Sequence, residues 1–336
     1  MHIVEIADII TGNGNFTPLD VRSEGEFLQG HIPNAVNVPL LNNEERRQVG
    51  ICYKQKGNKA AVLLGYELLG GKFASIIREI SQLFPHQKIT LHCWRGGLRS
   101  RIVGQLLENM GFDVYIIQGG YKQYRQWVLK SFDEAFAVKV IGGLTGSGKT
   151  ELLHLLRASG GQIIDLEGLA NHKGSTFGGI EQWPQPTQEQ FENNLSQVIL
   201  QGDRNEAFWI EDESRRIGNI CIPLQLWDMM RSSMLYEIEL SYAERLNRIM
   251  KEYTELPREK LREKTSLLKK RLGDKKLSEI LQFLDHGDMK SWAMELLNYY
   301  DKNYAFGQDK REAIKRKKIN LENKFSVANF LQSLNE

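Results

Sequence analysis

One cysteine of this chain stands in a setting that favours nucleophilic chemistry. In HCWRGGLRS (92–100), Cys93 ends a predicted strand and is followed by a Gly-Gly pair and a helix that opens near Leu98. The N–H groups of such a loop and of the helix N-terminus converge on one point, where they favour an anion. Arg95 and Arg99 add positive charge, so we expect the pKa of the Cys93 thiol to be lowered. The loop is a candidate catalytic site built on Cys93, Arg95 and Arg99.

A second motif is typical of phosphate binding. GLTGSGKT (143–150) satisfies G-x-x-x-x-G-K-[ST] in full, follows the apolar strand AVKVIG and precedes the helical stretch ELLHLLRASG. Its glycines let backbone amides surround phosphate oxygens, its lysine supplies a positive charge, and its threonine hydroxyl is placed to bind Mg²⁺. The predicted phosphate or diphosphate ligands are Gly143, Gly146, Gly148, Lys149 and Thr150. The motif leaves open which compound carries the phosphate group and whether a nucleotide is hydrolysed.

An acidic strand end is expected beside this loop, because a metal or a water molecule there needs a carboxylate. AFWIEDE (207–213) provides one, and we select Asp212 as the metal-binding or water-positioning residue. Glu211 and Glu213 are the alternatives, and Asp165 at the end of GQIID is a further candidate. Thr150 and Asp212 therefore form the predicted Mg²⁺ site.

The elements that must position these residues form two α/β sets. Predicted strands at 19–23, 88–93 and 113–120 alternate with helices at 98–111 and 121–136, as expected for βα units. A new strand at 137–144 opens the second set, which places a domain boundary near residue 135. We predict an N-terminal α/β domain (1–134) and a parallel α/β domain containing the phosphate loop (135–240).

Strand signals stop after about residue 225, so residues 241–336 are predicted to be a helical, basic region that includes REAIKRKKIN (311–320). One apolar helix face recurs at alternating spacings of four and three residues, formed by Tyr242, Leu246, Ile249, Tyr253 and Leu256. The region has 21 Lys and Arg against 15 Asp and Glu, a net charge of +6, whereas the preceding 240 residues sum to −4. This asymmetry is compatible with a polyanionic partner, although on charge alone a solvated helical surface is the preferred explanation.

Composition narrows the class of protein further. The 336 residues include three cysteines, too few for a disulfide scaffold, and Cys52 and Cys221 are expected to pack in the interior. No run approaches the roughly 18 apolar residues of a membrane span, and no secretory signal is evident at the start. We therefore predict a cytoplasmic protein with no membrane partner.

The N-terminal motifs resemble a rhodanese domain. LDVRSEGEFLQGHIPNAVNVP (19–39) is similar to the opening of that domain, and together with the Cys93 loop the resemblance covers about residues 5–130. In rhodaneses the loop cysteine carries a persulfide or, by analogy, a perselenide. A phosphatase with the same Cys-x5-Arg loop is the competing interpretation, and the loop alone does not separate the two.

The fusion of a rhodanese-like domain to a phosphate loop resembles the tRNA 2-selenouridine synthase family. The matching stretches are NNEERRQVGICYKQKG (42–57), HCWRGGLRSR (92–101), QGGYKQYR (118–125), GLTGSGKT, DLEGLANHKGSTFGG (165–179) and EDESRRIG (211–218). The resemblance implies conversion of 2-thiouridine to 2-selenouridine at wobble position 34 of tRNAs for Lys, Glu and Gln. It further implies S-geranylation from geranyl diphosphate, then replacement of the geranylated sulfur by selenium from selenophosphate.

The motifs and the resemblance together imply roles for both sites. From the chemistry of the motif we expect the phosphate loop to bind the diphosphate of the prenyl donor. The resemblance implies that Cys93 would carry selenium as S-selanylcysteine, with Arg95 and Arg99 steadying the anion. Lys315, Arg316, Lys317 and Lys318 would contact the tRNA backbone, and Arg215 and Arg216 the diphosphate or the RNA. A selenophosphate-producing enzyme is a candidate partner. The alternatives are a rhodanese sulfurtransferase fused to a small-molecule P-loop kinase, and a regulatory module that senses redox state.

Overall fold

The chain folds into two compact units. The structure is a computed structural model that describes residues 1–10, 17–85, 88–308 and 316–335. Unit 1 contains Met1–Asp133 and Glu189–Gln201, and unit 2 contains Glu134–Gln188 and Gly202–Glu336. The first division lies one residue from the predicted boundary, whereas the assignment of residues 189–201 to unit 1 was not predicted.

Unit 1 is built on a parallel five-stranded sheet. Its strands are β1 (His2–Val4), β2 (Leu19–Asp20), β3 (Val36–Asn37), β4 (Lys88–His92) and β5 (Asp113–Ile117), in the order β1-β5-β4-β2-β3. The central strand β4 is buried over four of its five residues, as expected for a parallel strand covered on both faces. The strand therefore delivers Cys93 to the carboxyl edge of the sheet.

Helices cover this sheet and complete the core of unit 1. They are α1 (Ile6–Ile10), α2 (Glu24–Gln29), α3 (Asn43–Leu69), α4 (Phe73–Leu83), α5 (Leu98–Asn109) and α6 (Gly120–Ser131). The core joins Leu19, Ile89 and Leu91 of the strands to Ile80 of α4 and Val103 of α5, all with no exposed surface. No single helix among the described residues is long and apolar enough to cross a membrane. Helices α3 and α4 are together long and apolar enough, but they are bent by 72° relative to each other.

Unit 2 holds a second parallel five-stranded sheet. Its strands, in the order β12-β11-β6-β8-β7, are β6 (Val138–Gly143), β7 (Ile163–Ile164), β8 (Phe208–Glu211), β11 (Leu235–Glu239) and β12 (Arg316–Asn320), and a separate hairpin is formed by β9 (Arg216–Ile217) and β10 (Ile220–Cys221). The helices that follow β6 and β7 are α7 (Lys149–Ala158) and α8 (Leu166–Ala170). The predicted α/β fold class is confirmed in both units.

The remaining helices follow in chain order: α9 (Gln188–Gln201), α10 (Leu224–Ser232), α11 (Tyr242–Tyr253), α12 (Arg258–Ser266), α13 (Lys269–Leu272), α14 (Asp274–Asp285), α15 (Met289–Gln308) and α16 (Val327–Asn335). Helices α11, α12, α14 and α15 enclose a second core around the fully buried Trp292. Leu246 and Ile249 of α11 are buried in it and Tyr253 packs against it, which confirms the predicted apolar face at these three positions. Tyr242 is exposed, and Leu256 packs against the core from beyond the end of α11.

The prediction that strands end near residue 225 is wrong. β11 and β12 lie beyond it, and Arg316–Asn320, predicted as helix, pairs in parallel register with β11. Only Ile319 of β12 is buried, so the strand has no apolar run that would distinguish it from a polar helix. It is held by pairing along the sheet edge, which single-sequence periodicity does not register.

Helix α9 packs within unit 1 although its sequence lies in the predicted phosphate-loop domain. Its apolar side chains Phe191, Leu195 and Ile199 are buried, and so are its polar residues Asn193 and Ser196. Both polar residues are paired in unit 1, because Asn193 Nδ2 donates to the His31 carbonyl at 2.9 Å and the Ser196 and Ser131 hydroxyls lie 2.8 Å apart. A buried amide and hydroxyl with matched partners fix the position of this helix.

Candidate active sites

The Cys93 loop connects the end of β4 to the start of α5. Cys93 is 4% exposed, and α5 begins at Leu98 after Gly97, with no side-chain cap on its first N–H groups. The two other cysteines differ, since Cys52 is half-buried and Cys221 is exposed in β10. The expectation that Cys221 packs in the interior is therefore wrong, because it lies in a two-residue hairpin strand. The loop offers Cys93 the uncapped N-terminus of a twelve-residue helix.

Several groups of the loop stabilise the thiolate form of Cys93. Burial alone would raise the pKa of the thiol, but the Ser100 hydroxyl, the charge of Arg99 and the backbone N–H groups of Arg95 and Ser100 together lower it. The Ser100 hydroxyl is buried and makes no hydrogen bond to another described group, so it is available to the sulfur. Arg95, predicted to act through its charge, is thus seen to contribute its backbone N–H. Ser100 is a functional residue that the loop motif did not reveal.

Arg99 is held in place by a carboxylate. Its Nη1 donates to Glu26 Oε2 at 2.7 Å, and its Nη2 to Oε1 at 3.3 Å. Burial alone would raise the pKa of Glu26, but the Arg99 hydrogen bonds lower it, so the carboxylate stays ionised. Glu26 lies in the rhodanese-like stretch LDVRSEGEFLQGHIPNAVNVP (19–39), and that resemblance was the only sequence feature that could have pointed to it. The pair orients Arg99 beside the thiolate.

A glycine turn between β5 and α6 packs against the backbone of the Cys93 loop. Gly120 has φ +58°, and a Cβ there would lie 2.3 Å from the Cys93 carbonyl oxygen and 2.4 Å from the Gly96 nitrogen. The N–H of Tyr121 donates to the Cys93 carbonyl at 2.9 Å, and the N–H of Lys122 donates to the Trp94 carbonyl at 2.9 Å. The QGGYKQYR stretch therefore shapes the Cys93 loop from outside it.

A buried polar cluster lies beneath the loop. Asp20, Arg22 and His92 are at most 1% exposed, and Arg22 Nη2 donates to Asp20 Oδ2 at 2.5 Å while its guanidinium covers the Tyr121 ring at 3.7 Å. Tyr121 Oη in turn donates to Glu189 Oε1 of α9 at 2.7 Å. Buried charges remain ionised only when paired in this way. The cluster joins α9 to the base of the cysteine loop.

The phosphate loop has the predicted conformation for wrapping an anion. Gly143, Gly146 and Gly148 all have positive φ, and a Cβ on Gly146 would lie 2.8 Å from the Arg245 carbonyl oxygen. Lys149, the first residue of α7, donates from Nζ to the Gly143 carbonyl at 3.1 Å, so it lies across the loop. The loop and its lysine form a cradle at the N-terminus of a ten-residue helix, which is suited to a phosphate group.

Three glutamates converge beside Thr150. Carboxylate oxygens of Glu167, Glu211 and Glu213 lie within 4.8 Å of one another. The Thr150 hydroxyl lies 3.2 Å from Glu211 Oε2 and 3.4 Å from Glu167 Oε2. Burial, followed by the neighbouring carboxylates, raises the pKa of Glu167 to about 9, and burial raises that of Glu211 to about 7 despite the opposing charge of Lys149. We call this set, with Thr150, the acidic cluster.

The structure favours Glu211 over Asp212, the residue selected from the sequence. Successive strand side chains point to opposite faces, so Glu211 and Glu213 share a face that Asp212 does not. Asp165, the further candidate, instead caps α8 through the Gly168 N–H and contacts His154 at 2.8 Å. Glu167, which sequence reasoning did not select, lies in the quoted stretch DLEGLANHKGSTFGG. The predicted metal residue Thr150 belongs to the cluster, and Asp212 does not.

Two arginines of α11 flank the phosphate loop. Arg245 is buried and donates from Nη1 to the Thr145 carbonyl at 3.1 Å and to Asp301 Oδ1 at 2.9 Å. Arg248 lies against Gly148 and covers the Phe325 ring at 4.0 Å. Neither was predicted, because both lie about a hundred residues from the motif. Both guanidinium groups are paired with carboxylates, Arg245 with Asp301 and Arg248 with Glu151.

Other predicted contacts are distributed differently. Arg216, placed near the phosphate from the sequence, donates to the Gly218 carbonyl within the β9–β10 hairpin at 3.1 Å. Lys317 donates to the Leu334 carbonyl at 3.0 Å and Lys318 pairs with Glu239 at 2.6 Å. Lys315 lies outside the described residues. The predicted C-terminal basic cluster is therefore partly engaged by the protein itself.

Comparisons with known proteins match both units. The model of the rhodanese-like domain matches residues 4–126, and that of the tRNA 2-selenouridine synthase AAA domain matches residues 136–335. A tRNA 2-selenouridine synthase from Cupriavidus pinatubonensis is 36% identical, over 88% of this chain and 90% of its own. The enzyme of that name from Pseudomonas putida is 37% identical, over 86% of this chain and 86% of its own. The one from Nitrosomonas eutropha is 42% identical, over 70% of this chain and 63% of its own.

Proposed function

The chain belongs to the tRNA 2-selenouridine synthase family, and on that premise we propose that it converts 2-thiouridine to 2-selenouridine at wobble position 34 of tRNAs for Lys, Glu and Gln. The observation that carries the proposal is the presence, in one chain, of a thiolate-stabilising Cys93 loop and a complete phosphate loop. Thiocarbonyl sulfur leaves poorly, so its replacement by selenium is easier after alkylation. The two sites suit these two stages.

In the first stage, the phosphate loop binds geranyl diphosphate through its diphosphate group. The sulfur of 2-thiouridine attacks C1 of the geranyl chain, a carbon–sulfur bond forms, and the carbon–oxygen bond to diphosphate breaks. The leaving diphosphate gains negative charge, which the helix N-terminus of α7 and Lys149 would stabilise. The backbone cradle at Gly146 and Gly148 supports this assignment.

A divalent cation fits the acidic cluster. Glu211 Oε1 is buried and has no hydrogen-bond partner among the described residues, which is costly unless an ion or a proton is bound. Glu167, Glu211, Glu213 and the Thr150 hydroxyl would provide oxygen ligands of the kind that Mg²⁺ prefers. When bound, Mg²⁺ would neutralise charge on a diphosphate.

In the second stage, the Cys93 thiolate attacks C2 of the S-geranylated base, a bond from C2 to the Cys93 sulfur forms, and geranyl thiolate leaves. The selenium of selenophosphate then attacks C2, the bond to Cys93 breaks and restores the thiolate, and water cleaves the Se–P bond to release phosphate and 2-selenouridine. Selenium, sulfur and phosphorus keep their oxidation states along this route, whereas an S-selanyl group on Cys93 would need an oxidant to form and a reductant to release selenium. The lowered pKa of Cys93 supports its role as a nucleophile, and Arg99, oriented by Glu26, supports anion binding beside it. A selenophosphate-producing enzyme remains a proposed partner, and a cytoplasmic location remains a prediction.

Nucleoside mass spectrometry tests this function directly. tRNA from cells that lack the gene should contain no 2-selenouridine, and 2-thiouridine at the same position should rise. Re-expression of the wild-type chain should restore 2-selenouridine. Unchanged 2-selenouridine in the deletion strain would refute the assignment, whatever the roles of the two sites.

A further inference from the structure

The most basic surface stretch of unit 1 lies on α3. From Arg46 to Tyr66 the sequence contains five Lys and Arg residues and no Asp or Glu. Residues 53–59 are all exposed, so this part of the helix is not covered by the rest of unit 1. We call Arg46–Lys59 the basic stretch; its charged residues are Arg46, Arg47, Lys54, Lys56 and Lys59.

Three of these charged side chains have no ion-pair partner among the described residues. Lys54, Lys56 and Lys59 make no ion pair with a described residue, whereas Arg47 pairs with Glu44 at 2.6 Å. Tyr53, between them, is 59% exposed. Three exposed lysines within about one and a half helical turns, beside an exposed aromatic ring, suit a polymer that carries phosphates and stackable bases.

Helix α3 is interrupted near the end of the basic stretch. Gly57, two residues before Lys59, has φ 83° and ψ −177°, which interrupts the helix, and a Cβ at this position would meet nothing within 4 Å. The space beside Gly57 is therefore open. At about 1.5 Å per residue the stretch extends roughly 20 Å, long enough to follow several nucleotides.

The start of the stretch reaches the Cys93 loop. Arg46 Nε lies 3.6 Å from Glu26 Oε2, the same oxygen that Arg99 contacts at 2.7 Å. Asn43 Oδ1 accepts from the Gly25 N–H at 2.7 Å, which fixes the first turn of α3 against α2. A nucleic-acid strand bound along α3 would therefore lead to the site at which Arg99 and Cys93 lie.

We propose that the basic stretch of α3 binds the phosphate backbone of the substrate tRNA and guides its anticodon loop to the Cys93 loop. This inference rests on the proposed function, which names tRNA as the substrate. It differs from the expectation of a C-terminal RNA surface, whose Lys317 and Lys318 contact protein groups. The charge pattern favours RNA as the partner; an anionic lipid surface is the alternative that the test must separate.

The test uses the full-length chain with three lysines changed to glutamine, K54Q/K56Q/K59Q. The matched control is K260Q/K270Q/K275Q, which removes the same charge from exposed, unpaired lysines of unit 2. Affinity for a tRNA transcript specific for Lys is measured between 50 and 200 mM salt. We expect the α3 variant to lose about tenfold or more in affinity, and the slope of log affinity against log salt to fall by about 2 to 3.

The control should stay within about threefold of the wild-type chain, a bound set by its lack of phosphate contacts. K54R/K56R/K59R should retain affinity, because it keeps the charge. An α3 glutamine variant that binds tRNA as well as the control overturns the inference, as does equal loss in the arginine variant. Unchanged tRNA affinity with lost binding to phosphatidylserine vesicles would assign the stretch to lipid and overturn it too. Failure of the wild-type chain to bind tRNA would instead count against the proposed function.

Discussion

At the scale of single residues, each site depends on a side chain with a role of its own. Cys93 is buried in unit 1 and is its proposed nucleophile, and Lys149 lies across the phosphate loop of unit 2. If selenation and geranylation are separate reactions, each can be removed without the other. The acidic cluster is a third candidate site, because its three carboxylates lie within 4.8 Å of one another and would be stabilised by a proton or a cation.

We predict that Cys93→Ala abolishes 2-selenouridine formation while S-geranyl-2-thiouridine still accumulates. Lys149→Ala should weaken geranyl diphosphate binding by about tenfold to a hundredfold, because a charge-assisted contact to the diphosphate is lost. Mass spectrometry of the tRNA product and calorimetry with geranyl diphosphate measure the two effects. Loss of geranylation in a folded Cys93→Ala variant would contradict the separation of roles.

The lowered pKa of Cys93 predicts a pH profile. Iodoacetamide reacts with the thiolate, so its reaction with Cys93 should reach a plateau at a lower pH than with an ordinary cysteine. Ser100→Ala removes the hydroxyl that favours the thiolate, so the midpoint, the pH at which half of the Cys93 reactivity is reached, should rise. Cys52 and Cys221 are replaced by Ala in both proteins, so that only Cys93 reports. A midpoint that does not move would show that Ser100 leaves the thiolate unaffected.

At the scale of secondary-structure elements, the cysteine loop is shaped by a turn outside its own motif. Gly120 approaches the Cys93 carbonyl so closely that no side chain fits without movement of the backbone. Helix α9 also lies outside the loop motif but is connected to the loop. Its Glu189 accepts a hydrogen bond from the Tyr121 hydroxyl, and the Tyr121 ring packs against the buried Arg22. The positions of β5, α6 and α9 therefore decide the geometry at Cys93.

We predict that Gly120→Ala slows alkylation of Cys93 at least tenfold and abolishes selenation, because the added Cβ displaces the loop. Geranyl diphosphate binding in unit 2 should remain, which distinguishes a local effect from unfolding. Gly71→Ala is the control, since a Cβ there meets nothing within 4 Å and the residue is exposed. Normal Cys93 reactivity in Gly120→Ala would mean that the turn does not constrain the loop.

At the scale of the whole molecule, unit 1 is discontinuous in sequence. Residues 189–201 complete it from within the second half of the chain. Arg125 contacts Asn193 Oδ1 at 2.6 Å and Glu192 Oε2 at 2.5 Å, and these partners would be missing from a fragment cut at the end of the first segment. Both arginine contacts and the hydroxyl of Tyr121 depend on α9.

We predict that a fragment of residues 1–133 is less stable to urea than unit 1 in the full chain by about 3 kcal/mol or more, since several buried polar groups lose their partners at about 1–3 kcal/mol each. A synthetic peptide of residues 188–201 added to the fragment should recover part of this stability. A peptide with Asn193→Ala and Glu192→Ala should recover less. A fragment as stable as unit 1 in the full chain would show that α9 is dispensable.

Features that depend on short-range pattern could be predicted from the sequence. The α/β class and the phosphate loop are encoded in contiguous residues, because strand alternation, glycine placement and helix periodicity act over a few positions. The nucleophile candidate Cys93 and its partner Arg99 were visible for the same reason, within six residues of each other.

Features that depend on contacts between distant segments became clear only from the folded chain. It selected Glu211 over Asp212 by the face of β8, and it brought Glu167 and Thr150 to that face. It formed β12 from a charged segment through pairing with β11, and it placed α9 in unit 1 through buried amide and hydroxyl partners. These outcomes come from burial and pairing between residues far apart in the chain, and such energies leave no local period in the sequence.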